Sequence, residues 1–175
     1  MRAHEVHDVI ASCDRCSFID KPPCIYKVYE RFLPDNVRVL VVSESPPPGY
    51  KHSYIYNLDY NDRLRRVLAK TFHVPEGKLI EYLMKNNIFW TTAVKCRPLS
   101  KKHIEYMRRN CLDILSFEIN ILKPEKITAL GRTAWRSIDE LRIKDISVRK
   151  YYHPLYLARF MGDGLEVLKS FIINS

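Results

Sequence analysis

Glutamine is missing from the chain altogether, and no stretch approaches the roughly 18 consecutive apolar residues that a membrane span requires. With Lys, Arg, Ile and Tyr abundant, the missing amide is the bias of proteins in which thermolabile side chains are disfavoured, and it points to a hot habitat. The missing apolar run excludes a helical membrane protein. The start, Met1-Arg2-Ala3-His4-Glu5, lacks the apolar core of a signal peptide, so a cytoplasmic protein is expected. There is no internal repeat and no low-complexity linker. The 175 residues therefore read as one domain over 1–175, long enough to bury a core on both faces of a sheet.

Acidic residues are in deficit: 20 Asp and Glu stand against 29 Lys and Arg, a formal net charge of +9. Such a field attracts polyanions, nucleic acid foremost, or an acidic membrane surface, although a merely soluble basic protein has the same composition. Four of the five cysteines form two spaced pairs, Cys13-x-x-Cys16 and Cys96 with Cys111, the latter with fourteen residues between. Four soft thiolates brought together by folding suit an iron–sulfur cluster or zinc. The wide second pair departs from the two short knuckles of a zinc ribbon. Buried free cysteine is the competing reading, and spacing alone leaves the choice open. In a cytosolic chain paired cysteines hold metal more often than they form disulfides.

Four apolar, β-branched runs are expected to be strands: Val37–Ser43, Ile88–Val94, Lys126–Leu130 and Ile146–Tyr152. The first three are nearly continuous in apolar character, as strands covered on both faces tend to be. Between them apolar residues recur at helical spacing, at Leu64, Val67, Leu68 and Phe72, at Leu79, Ile80, Leu83 and Met84, and from Ile104 through Cys111 to Leu122, with Ser100 as a candidate N-cap. Strands alternating with helices predict an α/β fold, three-layer α/β/α with a central four-stranded parallel sheet. Ligands of such sheets bind at the carboxyl ends of the strands. The segments there are Glu44-Ser45-Pro46-Pro47-Pro48-Gly49, Lys95-Cys96-Arg97-Pro98, Gly131-Arg132-Thr133-Ala134 and His153-Pro154.

In this order, with the cysteines, these segments resemble the uracil-DNA glycosylase superfamily, most closely its iron–sulfur branch, the family 4 enzymes. That branch carries C-x-x-C near the N-terminus, G-E-x-P-G after the first strand, T-N-x-x-K-C-R-P at the second, a further cysteine some fifteen residues on, L-G-x-x-A after the third strand, and H-P-S after the last. This chain has Cys13-Asp14-Arg15-Cys16, Ser43-Glu44-Ser45-Pro46-Pro47, Thr91-Thr92-Ala93-Val94-Lys95-Cys96-Arg97-Pro98, Cys111, Leu130-Gly131-Arg132-Thr133-Ala134 and His153-Pro154-Leu155. The resemblance runs from Cys13 to about Arg159. It implies a 4Fe-4S cluster on Cys13, Cys16, Cys96 and Cys111, leaving Cys24 as a free thiol. It further implies a DNA base-excision repair enzyme that flips a deaminated or damaged base and hydrolyses its N-glycosidic bond to leave an abasic site. A monomer acting on DNA is expected.

The residue chemistry agrees with that expectation. Cleaving an N-glycosidic bond leaves positive charge on the sugar and negative charge on the departing base, which calls for an anion-stabilising donor and a carboxylate facing water. His153 is the candidate donor and Glu44 the carboxylate; a structural histidine and an ordinary loop acid are the bland alternatives. Ser43, Ser45, Pro46 and Thr92 are expected to wall the base pocket, with Tyr54 or Tyr56 as a stacking face. Leu155 and Leu157 are wedge candidates by family position. Lys51, Arg97, Lys101, Lys102, Arg132 and Arg159 are candidate phosphate contacts, while Arg65 and Arg66 read as solvated helix faces. No lysine is placed by motif as a Schiff-base nucleophile, so a monofunctional enzyme is expected.

Three positions depart from the family pattern. Thr92 stands where uracil-excising members carry Asn, whose amide pairs with uracil N3–H and O4; a hydroxyl cannot make both bonds in one plane. Ser43 and Pro47 replace glycines. A changed or broadened base preference is the reading, with a non-catalytic nucleic-acid-binding member as the alternative and a zinc-stabilised interaction module as a minor third.

Overall fold

The computed structural model describes residues 3–173. Helices α1 (Ala3–Ser12), α2 (Pro22–Ile25) and α3 (Val28–Arg31) precede strand β1 (Val39–Ser43); α4 (Arg63–Phe72) and α5 (Leu79–Lys85) lead to β2 (Ile88–Thr92); α6 (Ile104–Asn110) and α7 (Leu112–Leu122) lead to β3 (Lys126–Leu130); α8 (Arg132–Leu141) leads to β4 (Ser147–Tyr151), which α9 (Pro154–Phe160) and α10 (Gly164–Ile173) follow. The four strands pair in parallel in the order β2-β1-β3-β4. Helices α1, α7, α6 and α8 pack together as one layer, and α4 packs with α5, α9 and α10 as the other. This is the three-layer α/β/α sandwich that the alternating pattern predicts.

Burial explains the sequence pattern strand by strand. Every residue of β1, β2 and β3 is buried, so each accepts apolar side chains on both faces. Strand β4 forms an edge and is largely exposed, and its Arg149 and Lys150 blunt an edge that would otherwise invite pairing. The register sets Ser43 of β1 directly opposite Thr92 of β2. Because the chain goes from β1 outward to β2 and then returns past β1 to β3, the strand order reverses beside β1, the place where parallel sheets open a crevice at their carboxyl ends.

Three local expectations are corrected. The run from Ile104 to Leu122 is not one helix: Cys111 sits at φ −98°, ψ −1° between α6 and α7, and its N–H is shared between the carbonyls of Met107 and Arg108. Ser100 occupies an extended N-cap position, but its hydroxyl lies 3.1 Å from His103 Nδ1 and caps no backbone amide, so the segment opens with a 3₁₀ turn over Lys101–His103. Arg65, expected on a solvated face, is 4% exposed. Its guanidinium donates to the carbonyls of Ile55 and Asn57 at 3.3 and 2.8 Å and also reaches Tyr60 O, tying down the loop between β1 and α4.

Charge is also buried where apolar spacing gave no hint of it. Arg108, fully buried, joins α6 to α8 through paired bonds to Glu105 and Glu140. Lys95, 1% exposed, pairs with the fully buried Glu118 and donates to Thr91 Oγ1 at 2.8 Å. The other Glu118 oxygen accepts from Tyr29 Oη at 2.7 Å, so all these partners are satisfied. Breaking such a pair on one side strands a charge in the interior, at a cost of about 3–5 kcal/mol, whereas replacing both members with apolar residues is far milder. Glu118→Leu is therefore expected to lower unfolding free energy by about that amount, and Glu118→Leu with Lys95→Met to recover at least half of it. Urea titration of the three proteins checks this; a double variant no better than the single one is the contrary result.

Candidate functional site

A cavity of about 120 Å³ opens at the carboxyl ends of β1 and β2. Its floor is built by Ser43, Trp90 and Thr92, and its sides by Ser45, Pro47, Ser53, Tyr54, Ile55 and Asp62, with the start of α4 behind and His153 and Leu155 across the opening. The sheet presents these floor residues because Ser43 and Thr92 end their strands in register.

The serine and threonine hydroxyl protons in this cavity are committed to the protein. Ser43 Oγ donates to Thr91 O at 3.2 Å and accepts from Trp90 Nε1 at 3.1 Å. Thr92 Oγ1 donates to Val94 O at 2.7 Å, Ser45 Oγ to Pro46 O at 2.9 Å, and Ser53 Oγ to Asp62 Oδ2 at 2.6 Å. What remains of these four groups toward a ligand is lone pairs, while the Tyr54 phenol and the Arg63 guanidinium, which also line the cavity, carry donors. His153 is the contrasting group. Its Nδ1 accepts from Leu155 N at 3.3 Å at the start of α9, which puts the proton of the neutral ring on Nε2. Burial holds the His153 pKa below its ordinary value of 6.5, although the charges of Glu44 and Asp62 oppose the shift. The cavity thus meets a neutral imidazole with one N–H to give.

Glu44 follows β1 outside the cavity walls and spans the crevice, its Oε2 accepting from Thr133 Oγ1 of α8 at 2.5 Å. The turn that delivers Thr133 rests on Gly131, whose φ of +83° favours glycine.

Several expected site residues lie elsewhere. Tyr54 lines the cavity, but Tyr56 is 3% exposed, stacked on Phe32 and hydrogen-bonded to Trp90 through both N and O, and is a core residue with no face for a base. Pro46 is buried, and the cavity wall is Pro47. Leu157 is 3% exposed and packs within the core, so only Leu155 stands at the opening. Arg97 is 1% exposed and cannot reach a phosphate: its guanidinium donates to Asp20 Oδ1 at 2.9 Å and to the carbonyls of Pro47 and Ser53 at 3.0 and 3.2 Å. Lys51, Lys101, Lys102, Arg132 and Arg159 are exposed. Asp62 and Ser53 were not anticipated. Asp62 is legible afterwards as the N-cap of α4, an Asp just before a helical run, accepting from Arg65 N at 2.9 Å.

A second, narrow cavity is walled by Cys13, Cys16, Cys96 and Cys111 together with Ile10, Phe18, Met107, Ile114 and Lys95. All five cysteines are free thiols, and Cys24 lies outside this cavity. Among the described residues no group of three or more His, Cys, Asp or Glu side chains is arranged to hold a metal ion. The donor set nonetheless fits a thiolate-ligated group. It contains no carboxylate, and N–H donors already aim at sulfur, Arg15 Nε at Cys13 Sγ (3.4 Å) and Asn110 Nδ2 at Cys16 Sγ (3.3 Å), the kind of bond that orients and stabilises thiolate ligands. Burial, with the neighbouring thiols adding to it, pushes Cys96 up to about 12 and raises Cys111 as well. Lys21 Nζ holds the loop in place by bonding the carbonyls of Ala11 and Cys13 at 2.6 Å each.

Comparison with known proteins matches this geometry to a family. The sequence pattern of the uracil DNA glycosylase superfamily matches residues 30–172, which contain the whole sheet and both walls of the first cavity but begin after Cys13 and Cys16. Over 152 residues the chain is 24% identical to a type-4 uracil-DNA glycosylase of Pyrobaculum aerophilum, a match covering 81% of this chain; it spans 66% of that relative, just under two thirds of its length. With the parallel four-stranded sheet, the crevice beside β1 and a match over most of its length, the chain belongs to the uracil DNA glycosylase superfamily.

Proposed function

We propose that this protein is a monofunctional DNA glycosylase that takes a deaminated or damaged base, uracil or a related one, into the cavity at the ends of β1 and β2 and hydrolyses its N-glycosidic bond. The observation that carries the reading is the fixed tautomer of His153: with Nδ1 engaged by Leu155 N–H, the ring offers Nε2–H at a cavity whose serine and threonine hydroxyls are left as acceptors. In the reaction the C1′–N bond breaks and its electron pair stays with the base. His153 Nε2–H stabilises the anion that forms, and Glu44 orients the water whose oxygen bonds to C1′ and takes up the proton that water releases. Trp90, Tyr54 and Pro47 give the base apolar walls, and Leu155 at the opening is placed to follow it into the space it vacates in the helix. Among the described residues no lysine lines the cavity, which agrees with hydrolysis by water and not by a Schiff base. Thr92, with its proton on Val94 O, offers an acceptor where an amide would offer both kinds of bond, which favours a base other than, or in addition to, uracil.

Cys13, Cys16, Cys96 and Cys111 would hold a 4Fe-4S cluster in the second cavity, and its contribution there is structural. Held by these four residues, it would tie the loop after α1 to the break between α6 and α7. The exposed Lys51, Lys101, Lys102, Arg132 and Arg159 would meet DNA phosphates, with the protein acting as a monomer in the cytoplasm.

Oligonucleotides carrying uracil, hypoxanthine, xanthine or a mismatched thymine, followed by alkali, are expected to show cleavage for at least one base, and His153→Ala to slow it by about 100-fold or more with DNA binding retained. Binding without excision of any base by the folded native protein would make this a non-catalytic DNA-binding member.

The excision rate should be flat above neutrality and fall as pH drops below 6.5 toward the depressed pKa of His153. Protonation turns Nδ1 from acceptor to donor and sets it against Leu155 N–H, so the ring loses its position. A rate that rises on acidification contradicts the assignment.

Anaerobically purified protein is expected to be brown with visible absorption, and Cys96→Ser or Cys111→Ser to lose both the colour and several degrees of melting temperature. Colourless protein with stoichiometric zinc is the opposing result.

A further inference from the structure

Four aromatic side chains form a continuous ladder beside the first cavity. Trp135 of α8 meets Tyr152 with ring centroids 5.3 Å apart, Tyr152 meets Tyr156 at 5.0 Å, and Tyr156 meets Phe160 at 4.9 Å. Tyr152, Tyr156 and Phe160 are 44%, 45% and 60% exposed, whereas rings that pack on one another in a folded chain usually do so under cover. The inner end is fixed: Trp135 Nε1 donates to the carbonyls of Ala129 and Tyr151 at 3.0 Å each, which anchors the row to the ends of β3 and β4.

Its position and charge identify the partner. Tyr152 immediately precedes His153, and Tyr156 immediately follows Leu155, so the segment that supplies these two cavity-lining residues also carries the two middle rings of the row. Cations accompany it. The Arg159 guanidinium lies 5.0 Å from the Phe160 ring centre, and exposed Arg132 lies on the same helix as Trp135. Ring faces with interspersed cations are the combination that binds single strands, bases stacking on the rings and phosphates meeting the charges. A duplex offers the rings nothing equivalent, because its bases are already stacked and show only their edges in the grooves.

We infer that the ladder Trp135–Tyr152–Tyr156–Phe160 is a stacking platform for unpaired bases flanking the nucleotide in the cavity, so that the protein prefers single-stranded DNA to duplex. The inference rests on the glycosylase reading only for the identity of the polymer as DNA.

Fluorescence anisotropy with an oligonucleotide of ordinary bases, alone and as a duplex, tests it without requiring catalysis. Tyr156→Ala with Phe160→Ala should weaken single-strand binding by about tenfold or more and duplex binding by less than twofold. Tyr156→Phe should retain the native affinity, and Tyr106→Ala, an exposed ring away from the row, should change neither. Equal loss on both polymers, or no loss on either, would overturn the platform. So would a native dimer in sedimentation that the double substitution dissociates, since the row would then be a self-association surface. Ladder-dependent single-strand binding by a protein that excises no base would support the platform while removing the glycosylase reading.

Discussion

The buried guanidinium of Arg97 is the constraint on which the arrangement of both cavities depends. It reaches Asp20 beyond the cysteine loop and the carbonyls of Pro47 and Ser53 on the wall of the first cavity. Its own backbone pairs with Ile19 and Asp20 at 3.0 and 2.9 Å. The residues beside it extend the same connection: Lys95 enters the buried pair with Glu118, Cys96 enters the thiol cavity, and Pro98 O accepts from Gly49 N at 2.9 Å. Four consecutive residues thus fasten α7, the cysteine loop and the proline-rich turn after β1 to the end of β2. A charge this deep is tolerated only while every N–H has a partner, so displacing any one of the three segments exposes an unpaired cation to the interior. The thiol cavity and the base-sized cavity are therefore mechanically joined, although no ligand is shared between them.

Net charge also changes meaning once burial is known. Arg65, Arg97, Arg108 and Lys95 contribute to the excess of basic residues, yet each is held in the interior by carboxylates or carbonyls and contributes little to an outward field. The exposed cations on the strand-end side, among them Lys51, Lys101, Lys102, Arg132 and Arg159, carry what attraction remains. Their burial class, and not the composition, decides which basic residues can meet a polyanion.

The strands were legible because burial on both faces leaves a continuous apolar run, and β1, β2 and β3 are buried at every position. Their parallel direction follows from the alternation with helices, and the strand-end rule pointed to Glu44 and His153, while Thr92 came from the family resemblance and the strand order from the structure. What could not be read is the direction of side chains within those segments. Pro46 and Pro47 are adjacent and chemically identical, but only one faces the cavity. Tyr54 and Tyr56 share a strand-like spacing, but the second is drawn into the core by bonds to the Trp90 backbone that no periodicity encodes. Leu155 and Leu157 separate for the same reason, being two positions apart on a helix and so on different faces of it. Arg97 was misread because a polar residue at a strand end looks exposed, and its partners lie far away in sequence.

The first cavity is rigid in its acceptors and conditional in its donor. Thr92 and Ser53 are locked by short bonds to backbone or to Asp62, Ser43 is held between Thr91 O and Trp90 Nε1, and the proline run fixes the turn above them. His153 depends on something less secure, a 3.3 Å bond from Leu155 N at the first turn of α9, a helix of seven residues. That helix is also the element that carries Tyr156, Arg159 and Phe160 outward. Forces applied to its exposed side act on the same turn that orients the imidazole. Since the serine and threonine hydroxyls of the walls have no proton left for a departing anion, the geometry of this one short helix decides whether the cavity presents the imidazole N–H.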